Sequence, residues 1–253
     1  MYFDFLKYYF KAKNAHGIHS PFVFDFYNSI FKGKNAQEDF SEIENIRKLL
    51  LQNNKQIQRV DFGAGKKNNH PERVSDLART SLKPRKWAQM LYRLISKYQF
   101  QNIIDLGTSF GITTLYFSKA APNGKIKTLE GCPETLKIAK NNFRTLNTNN
   151  IETIEGNIDV NLALAINKFE KVDFVFFDAN HQYKPTIKYF ELCLSKIDEN
   201  SCFVFDDIYW SEEMKNAWNT IIHHEKVSIT IDLFFIGIVF FKKGIIKQHF
   251  ILK

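Results

Sequence analysis

Gln101-Asn-Ile-Ile-Asp105-Leu-Gly107-Thr-Ser-Phe-Gly111-Ile-Thr-Thr114 carries the strongest structural signal in this chain. A short apolar run closes in Asp105, passes through two glycines and resumes as an apolar pattern with helical spacing. That order predicts a strand, a tight turn and a helix start, the place where an α/β sheet holds a nucleotide-like ligand on backbone N–H groups. From about residue 99 onward the alternation repeats. Strands are expected at 103–106, 125–130, 151–155, 172–178 and 202–206, and helices at 113–121, 134–146, 162–166, 185–195 and 211–223. Two further strand-like runs, 227–234 and 236–242, are joined tightly enough to be antiparallel. Alternating strand and helix predicts a doubly wound, mostly parallel Rossmann-like α/β sheet with an antiparallel last strand. Val172-Asp-Phe-Val-Phe-Phe177 and Cys202-Phe-Val-Phe205 read as strands buried on both faces.

Upstream the pattern changes. Residues 1–98 read as a helical N-terminal extension that serves as a substrate lid, and residues 99–253 as the ligand-binding domain. Ser20-Pro21 marks a helix start, with serine as N-cap and proline in the first turn. Ser41 and Glu44 have the spacing of a capping box. Helices are also expected over 72–80 and 86–98. The chain has 253 residues, 44% of them hydrophobic, which excludes disorder and allows a large core. Its net charge of +8 is not gathered in one block, so it favours anionic partners only generally. Cys132, Cys193 and Cys202 are few and widely spaced, with no CxxC pair, which fits a reducing, cytoplasmic compartment and no zinc site. The charged N-terminus lacks the features of a secretion signal, and no apolar run is long enough for stable membrane insertion.

Gly107 and Gly111 are spaced G-x-x-x-G, without the G-x-G-x-x-G of a dinucleotide grip or the Gly-Lys-Ser/Thr of a P-loop. Glu130 closes the second strand about 20 residues further on, where an acid accepts hydrogen bonds from ribose hydroxyls. With these motifs in place, residues 99–243 resemble the class I S-adenosylmethionine-dependent methyltransferases. Asp105-Leu-Gly107-Thr108-Ser109-Phe-Gly111 is similar to their first motif. The resemblance implies that this turn lines the amino-acid and ribose part of the cofactor, that Asp105 orients the methionine amine, and that Glu130 and Gly131 lie at the ribose. Gly156-Asn157 falls where many members carry Gly-Asp near the adenine, with asparagine here in place of aspartate. The 227–242 pair resembles the family's reversed last hairpin.

A second cluster narrows the branch. Asp178-Ala-Asn-His181-Gln-Tyr183 ends one expected strand and Asp206-Asp207 the next, and adjacent parallel strands deliver their carboxyl ends to one edge. This is similar to the catechol and caffeoyl-CoA O-methyltransferase branch, where such positions hold a divalent metal. The resemblance implies that Asp178, Asp206 and Asp207 bind Mg2+ or another divalent cation, with Asp-Asp here in place of the branch's Asp-Asn. Asp178 would also touch the cofactor and share the chemistry. His181 stands where that branch carries a catalytic lysine, and histidine is a candidate general base. A plainer reading makes Asp206 and Asp207 the N-cap of the following helix.

Two further segments mimic sites. Arg59-Val-Asp-Phe-Gly-Ala-Gly65 has the look of an acidic glycine turn, but a polar stretch and Pro71 follow, so it reads as a loop near the active site. His16 and His19 lack a third metal ligand and read as a loop that could cap the pocket. The aromatic N-terminus (Tyr2, Phe3, Phe5, Tyr8, Tyr9, Phe10) reads as a packing face or a self-association surface, as in a homodimer. The expected activity is methyl transfer to an oxygen or nitrogen of a small-molecule acceptor. The alternatives are a nucleotide-dependent oxidoreductase on a similar sheet, or a nucleic-acid-associated module or RNA methyltransferase. The latter rests on the charge and on the basic, aromatic stretch 83–98, which is more simply an amphipathic helix.

Overall fold

A computed structural model describes residues 2–34, 38–60 and 70–253. The first part contains helices α1 (Tyr2–Lys11), α2 (Pro21–Phe26, continuing as a wider turn over Tyr27–Phe31) and α3 (Ser41–Gln52), strands β1 (Gln56–Arg59) and β2 (His70–Arg73), and helices α4 (Val74–Ser81) and α5 (Arg85–Tyr98). The second part alternates β3 (Asn102–Leu106), α6 (Ile112–Ala120), β4 (Lys125–Glu130), α7 (Pro133–Thr145), β5 (Ile151–Glu155), α8 (Ile158–Asn167), β6 (Phe174–Phe177), α9 (Tyr183–Cys193), β7 (Cys202–Asp206) and α10 (Glu212–His223). Strands β8 (Ile229–Asp232), β9 (Ile236–Phe240) and β10 (Gln248–Ile251) follow.

The eight-stranded sheet has the order β10-β8-β9-β7-β6-β3-β4-β5. All neighbours are parallel except β9, which pairs antiparallel with both β7 and β8. The doubly wound α/β architecture and the reversed strand near its end are therefore as expected. One strand of this sheet was not anticipated, as β1 and β2 outside it were not: β10 lies parallel to β8 beyond the hairpin. Its four residues, Gln248-His-Phe-Ile251, show no alternation and form too short a run to signal a strand without a partner.

Residue parity along the central strands explains the two-sided burial. Ile103, Phe174, Phe176 and Val204 face α2 and α5, joining Val23, Phe26, Leu91 and Leu94 in one core cluster. Ile104, Val175, Phe177, Phe203 and Phe205 face the other way, toward Leu162, Phe190 and Trp218 of α8, α9 and α10. A third cluster sits under α3, α4, α6 and α7. The N-terminal helices thus share their main core with the sheet. The tip of the chain is tied down as well: the Tyr8 hydroxyl donates to the Leu252 carbonyl, and Phe234 packs against Phe5 and Tyr8.

Local expectations fared unevenly. Ser20 caps α2 by accepting from the Val23 N–H, with Pro21 in the first turn. The Ser41–Glu44 capping box does not form. Ser41 lies inside the helix and bonds back to Asp39, while Glu44 is drawn away to Arg47 and the Tyr116 hydroxyl. The helix expected from 72 starts at Val74, because residues 70–73 pair with β1 in a small antiparallel ribbon. Among the described residues no helix is long and apolar enough to cross a membrane.

Phe174 is fully buried, its ring stacked on Phe100 and edge-on to Phe117. Phe174→Ala should lower unfolding stability by about 3–5 kcal/mol, measured by urea denaturation, because the surrounding rings cannot all collapse into the gap.

Candidate active site

The chain winds from β3 to β4 and β5 on one side, and to β6 and β7 on the other. The point where strand order reverses lies between β3 and β6, and there the carboxyl ends open a crevice. A cavity of about 620 Å³ occupies it. Its walls include Gly107, Ser109, Glu130, Gly131 and Asn157 on one side, and Asp178, His181, Asp206 and Asp207 on the other. The strand register accounts for this convergence. Phe177 pairs with Phe205, so the next residues, Asp178 and Asp206, end neighbouring strands side by side.

The turn after β3 depends on close approach. Gly107 has φ +103°, and a Cβ there would lie 2.2 Å from the Asp178 carbonyl oxygen. Gly111, at φ +80°, serves packing instead: a Cβ would sit 2.4 Å from the Phe143 ring on α7. Between them Ser109 adopts φ 47° and donates its N–H to Glu130 Oε2 at 2.8 Å. The Cys132 N–H donates to the other oxygen, Oε1, at 2.9 Å. Glu130 is therefore fixed at the end of β4, facing the cavity. Burial raises its pKa above the ordinary value, opposed by the N–H groups of Cys132, Ser109 and Gly131 that favour its charged form.

Asp105 is placed differently. It is buried behind the turn and does not line the cavity; its carboxylate accepts from Thr114 Oγ1 at 2.6 Å and Thr128 Oγ1 at 2.8 Å. Thr108, also buried, bonds Thr128 at 2.6 Å. Asp105, Thr108 and Gly111 thus support the turn from within, and Gly107 and Ser109 form its exposed surface. Asn157 lines the cavity while capping α8, its Oδ1 accepting from the Asp159 N–H at 2.8 Å.

The acidic cluster is not open. Lys83, from the turn between α4 and α5, inserts its ammonium among the carboxylates. It forms a close ion pair with Asp206 and lies 3.5 Å from Asp178. The Phe176 ring lies beneath it, 5.9 Å away. Only 11% of the Lys83 side chain and 2% of that of Asp206 are exposed. Burial presses Lys83 toward neutrality, but the charges of Asp178, Asp206 and Asp207 outweigh it and hold the ammonium protonated. Burial pushes Asp206 up, Asp178 adds to this, and Lys83 opposes it. Asp207 is raised in the same way, by burial first. Among the described residues no three His, Cys, Asp or Glu side chains come together in an arrangement able to hold a metal ion. The expected divalent-cation set does not fit such an ion as it stands, because Lys83 fills the space between Asp178 and Asp206.

His181 lines the cavity, with Nε2 3.6 Å from Asp178 Oδ1. Asn180 and Asp207 have φ of 64° and 54°, so left-handed backbone gathers on the same rim as Ser109. Asp207 is not a helix cap: Ser211 caps α10, accepting from the Met214 N–H at 3.1 Å. Of the two look-alike segments, Arg59 and Val60 line the cavity, whereas 61–65 lie outside the described residues. His16 and His19 are exposed and do not reach the cavity. Lys83, Ser81 and Thr80 are among the cavity-lining residues that the sequence pattern did not assign to the site. The available signal was Pro84, which biases Lys83 toward an extended backbone and so breaks the basic stretch before its helix.

Residues 104–208 match the family model described as a methyltransferase domain. A catechol O-methyltransferase from Niastella koreensis is 30% identical over 126 residues, covering 49% of this chain and 55% of that protein, so the match spans about half the relative's length. Two solved structures share the fold. The O-methyltransferase from Bacillus cereus in complex with SAH superposes with a TM-score of 0.61 at 18% identity, covering 81% of this chain and 93% of that one. The O-methyltransferase TomG from Streptomyces achromogenes, in complex with SAM, gives 0.55 at 18% identity, with 64% and 82% covered.

Asp105 has a pKa raised from 3.8 to about 7, chiefly by burial, with its two threonine partners opposing the change. Between about pH 4 and pH 7 the folded state keeps a proton that the unfolded chain has lost. Asp105 therefore withdraws stability as pH rises through that window, and its full cost stands above about pH 7. Replacement by Asn removes this pH dependence. The stability of Asp105→Asn minus that of the unsubstituted protein, from urea denaturation, should grow across the window by on the order of 1.4 kcal/mol for each pH unit.

Proposed function

We propose that this chain is a class I S-adenosylmethionine-dependent methyltransferase that moves a methyl group from S-adenosylmethionine to a hydroxyl oxygen of a small-molecule acceptor. The observation that carries this reading is Glu130, held on backbone N–H groups at the end of β4 and facing a cavity at the strand-order switch. A carboxylate offers about four acceptor sites, so beside these N–H groups it keeps capacity for a ribose hydroxyl. Gly107 and Ser109 would hold the amino-acid part of S-adenosylmethionine, Glu130 and Gly131 its ribose, and Asn157 its adenine. Asp105, Thr108 and Gly111 act through the shape of the turn.

The acceptor enters from the Asp178 side. Its hydroxyl proton passes to His181, whose imidazole is oriented by Asp178. The oxygen lone pair attacks the methyl carbon in line with the departing sulfur, and the C–S electron pair returns to sulfur, leaving S-adenosylhomocysteine. The sheet rim supplies orientation, and orientation supplies much of the acceleration. Residues 1–98 act as the acceptor-side lid, chiefly through Ser81 at the end of α4 and Lys83 in the turn that follows. The exposed rings of Tyr2, Phe3 and Phe10 on α1 support a self-association surface, as in a homodimer. Three buried, unpaired cysteines support a reducing, cytoplasmic setting.

Calorimetric titration with S-adenosylmethionine, S-adenosylhomocysteine and NAD tests the cofactor class. The first two should bind saturably and NAD should not; the reverse pattern would move the chain to the oxidoreductases. Glu130→Ala should weaken S-adenosylmethionine binding by about 10- to 100-fold, the worth of hydrogen bonds to a charged group. His181→Ala should lower kcat with a catechol probe by about 100-fold or more and leave cofactor affinity nearly unchanged. Unaltered turnover in both variants would refute the assignment.

A further inference from the structure

We infer that Lys83 is the resident cation of this site: its ammonium takes the place of a divalent metal among Asp178, Asp206 and Asp207 and presents an N–H to the acceptor oxygen. This deepens the transferase reading and rests on it. The resemblance drawn from sequence implies a metal held by three carboxylates. A magnesium or calcium ion needs about six or more oxygen ligands within about 2.6 Å. Here the place between Asp178 and Asp206 belongs to Lys83 Nζ, paired with Asp206 and 3.5 Å from Asp178.

The lysine is also built into position rather than draped across the site. The Lys83 carbonyl accepts from Arg47 Nη1 at 2.8 Å, which anchors its backbone to α3. The Ser81 hydroxyl meets that of Ser109 at 3.0 Å, which ties the same turn to the glycine turn. Pro84 follows directly and restricts the backbone of Lys83. The Phe176 ring, 5.9 Å from Nζ, offers its face to the ammonium. Anchors from three elements thus hold the cation where two in-register strands deliver their acids, and Lys83 still lines the cavity. In the reaction it moves no proton. It faces the oxygen while charge develops there, as the acceptor proton leaves for His181 and the new O–C bond forms.

The test uses the 253-residue chain and Mn2+ as the probe. After dialysis against EDTA, the wild type should leave the EPR signal of added free Mn2+ undiminished. Its affinity for S-adenosylmethionine should change by less than about twofold between EDTA and excess Mg2+. Lys83→Met removes the ammonium and frees the carboxylates. It should then bind Mn2+, reducing the free-ion signal in proportion to protein, and Mn2+ should raise its melting temperature by about 2–4 °C or more. Saturable one-to-one Mn2+ binding by the wild type overturns the inference, as does a folded Lys83→Met that binds none. Should that variant not fold, Lys83→Gln, which keeps an N–H donor for Asp206, takes its place, and the wild-type Mn2+ measurement stands by itself. The S-adenosylmethionine titration separates the two readings. A wild type that binds no S-adenosylmethionine defeats the transferase reading and this inference with it. A wild type that binds both S-adenosylmethionine and Mn2+ defeats only the role given to Lys83.

Discussion

Two acids that end neighbouring parallel strands in register must lie side by side, and their repulsion has to be met. In this fold Asp178 and Asp206 are in that position, with Asp207 close behind, and Lys83 comes in from outside the sheet to meet it. Losing one partner of so buried a pair would leave a charge without compensation, a far larger penalty than losing a surface ion pair. The α4–α5 turn is therefore bound to the carboxyl rim of the sheet by electrostatics as well as by packing. The N-terminal helices and the sheet meet at the place where chemistry would occur.

The other half of the rim works with backbone dipoles. Glu130 is immobilised by N–H groups from the turn after β3 and from the start of the β4–α7 connection. Each donor is a fixed part of the main chain, so the carboxylate meets a ligand with little reorganisation. The turn itself rests on a buried set of Asp105, Thr108, Thr114 and Thr128. The two halves touch at Gly107, where only the absence of a Cβ lets the backbone pass the Asp178 carbonyl. The left-handed residues Ser109, Asn180 and Asp207 mark the same rim, where packing on both sides holds conformations that an isolated chain would avoid.

Much of this is legible in the order of residues. Unbroken apolar runs at 174–177 and 202–205 announce strands covered on both faces, and the glycine turn and closing acid announce the ligand edge. Short-range signals are less dependable. Ser41 and Glu44 have the right spacing for a capping box, yet Asp39 and Arg47 compete for them and win. Residues 70–73 extend the helical pattern of α4 but pair as a ribbon, since β1 offers hydrogen bonds that the sequence pattern does not reveal. β10 is too short to be recognised without β8 beside it.

By itself the sequence determined the alternation of strand and helix in the sheet, the burial of its central strands on both faces, and the delivery of Glu130, Asp178 and Asp206 to the carboxyl edge, because all of these follow from local periodicity and chain order. Tertiary structure alone decided what those side chains do to one another. Asp105 and Glu130 are both acids at strand ends, yet one is sealed behind the turn on threonine hydroxyls and the other faces the cavity. Lys83 and Asp206 lie 123 positions apart. No pattern within either segment encodes their pairing. It arises because a helix-to-helix turn packs over the end of one strand, where the low-dielectric interior makes an ammonium and a carboxylate choose each other.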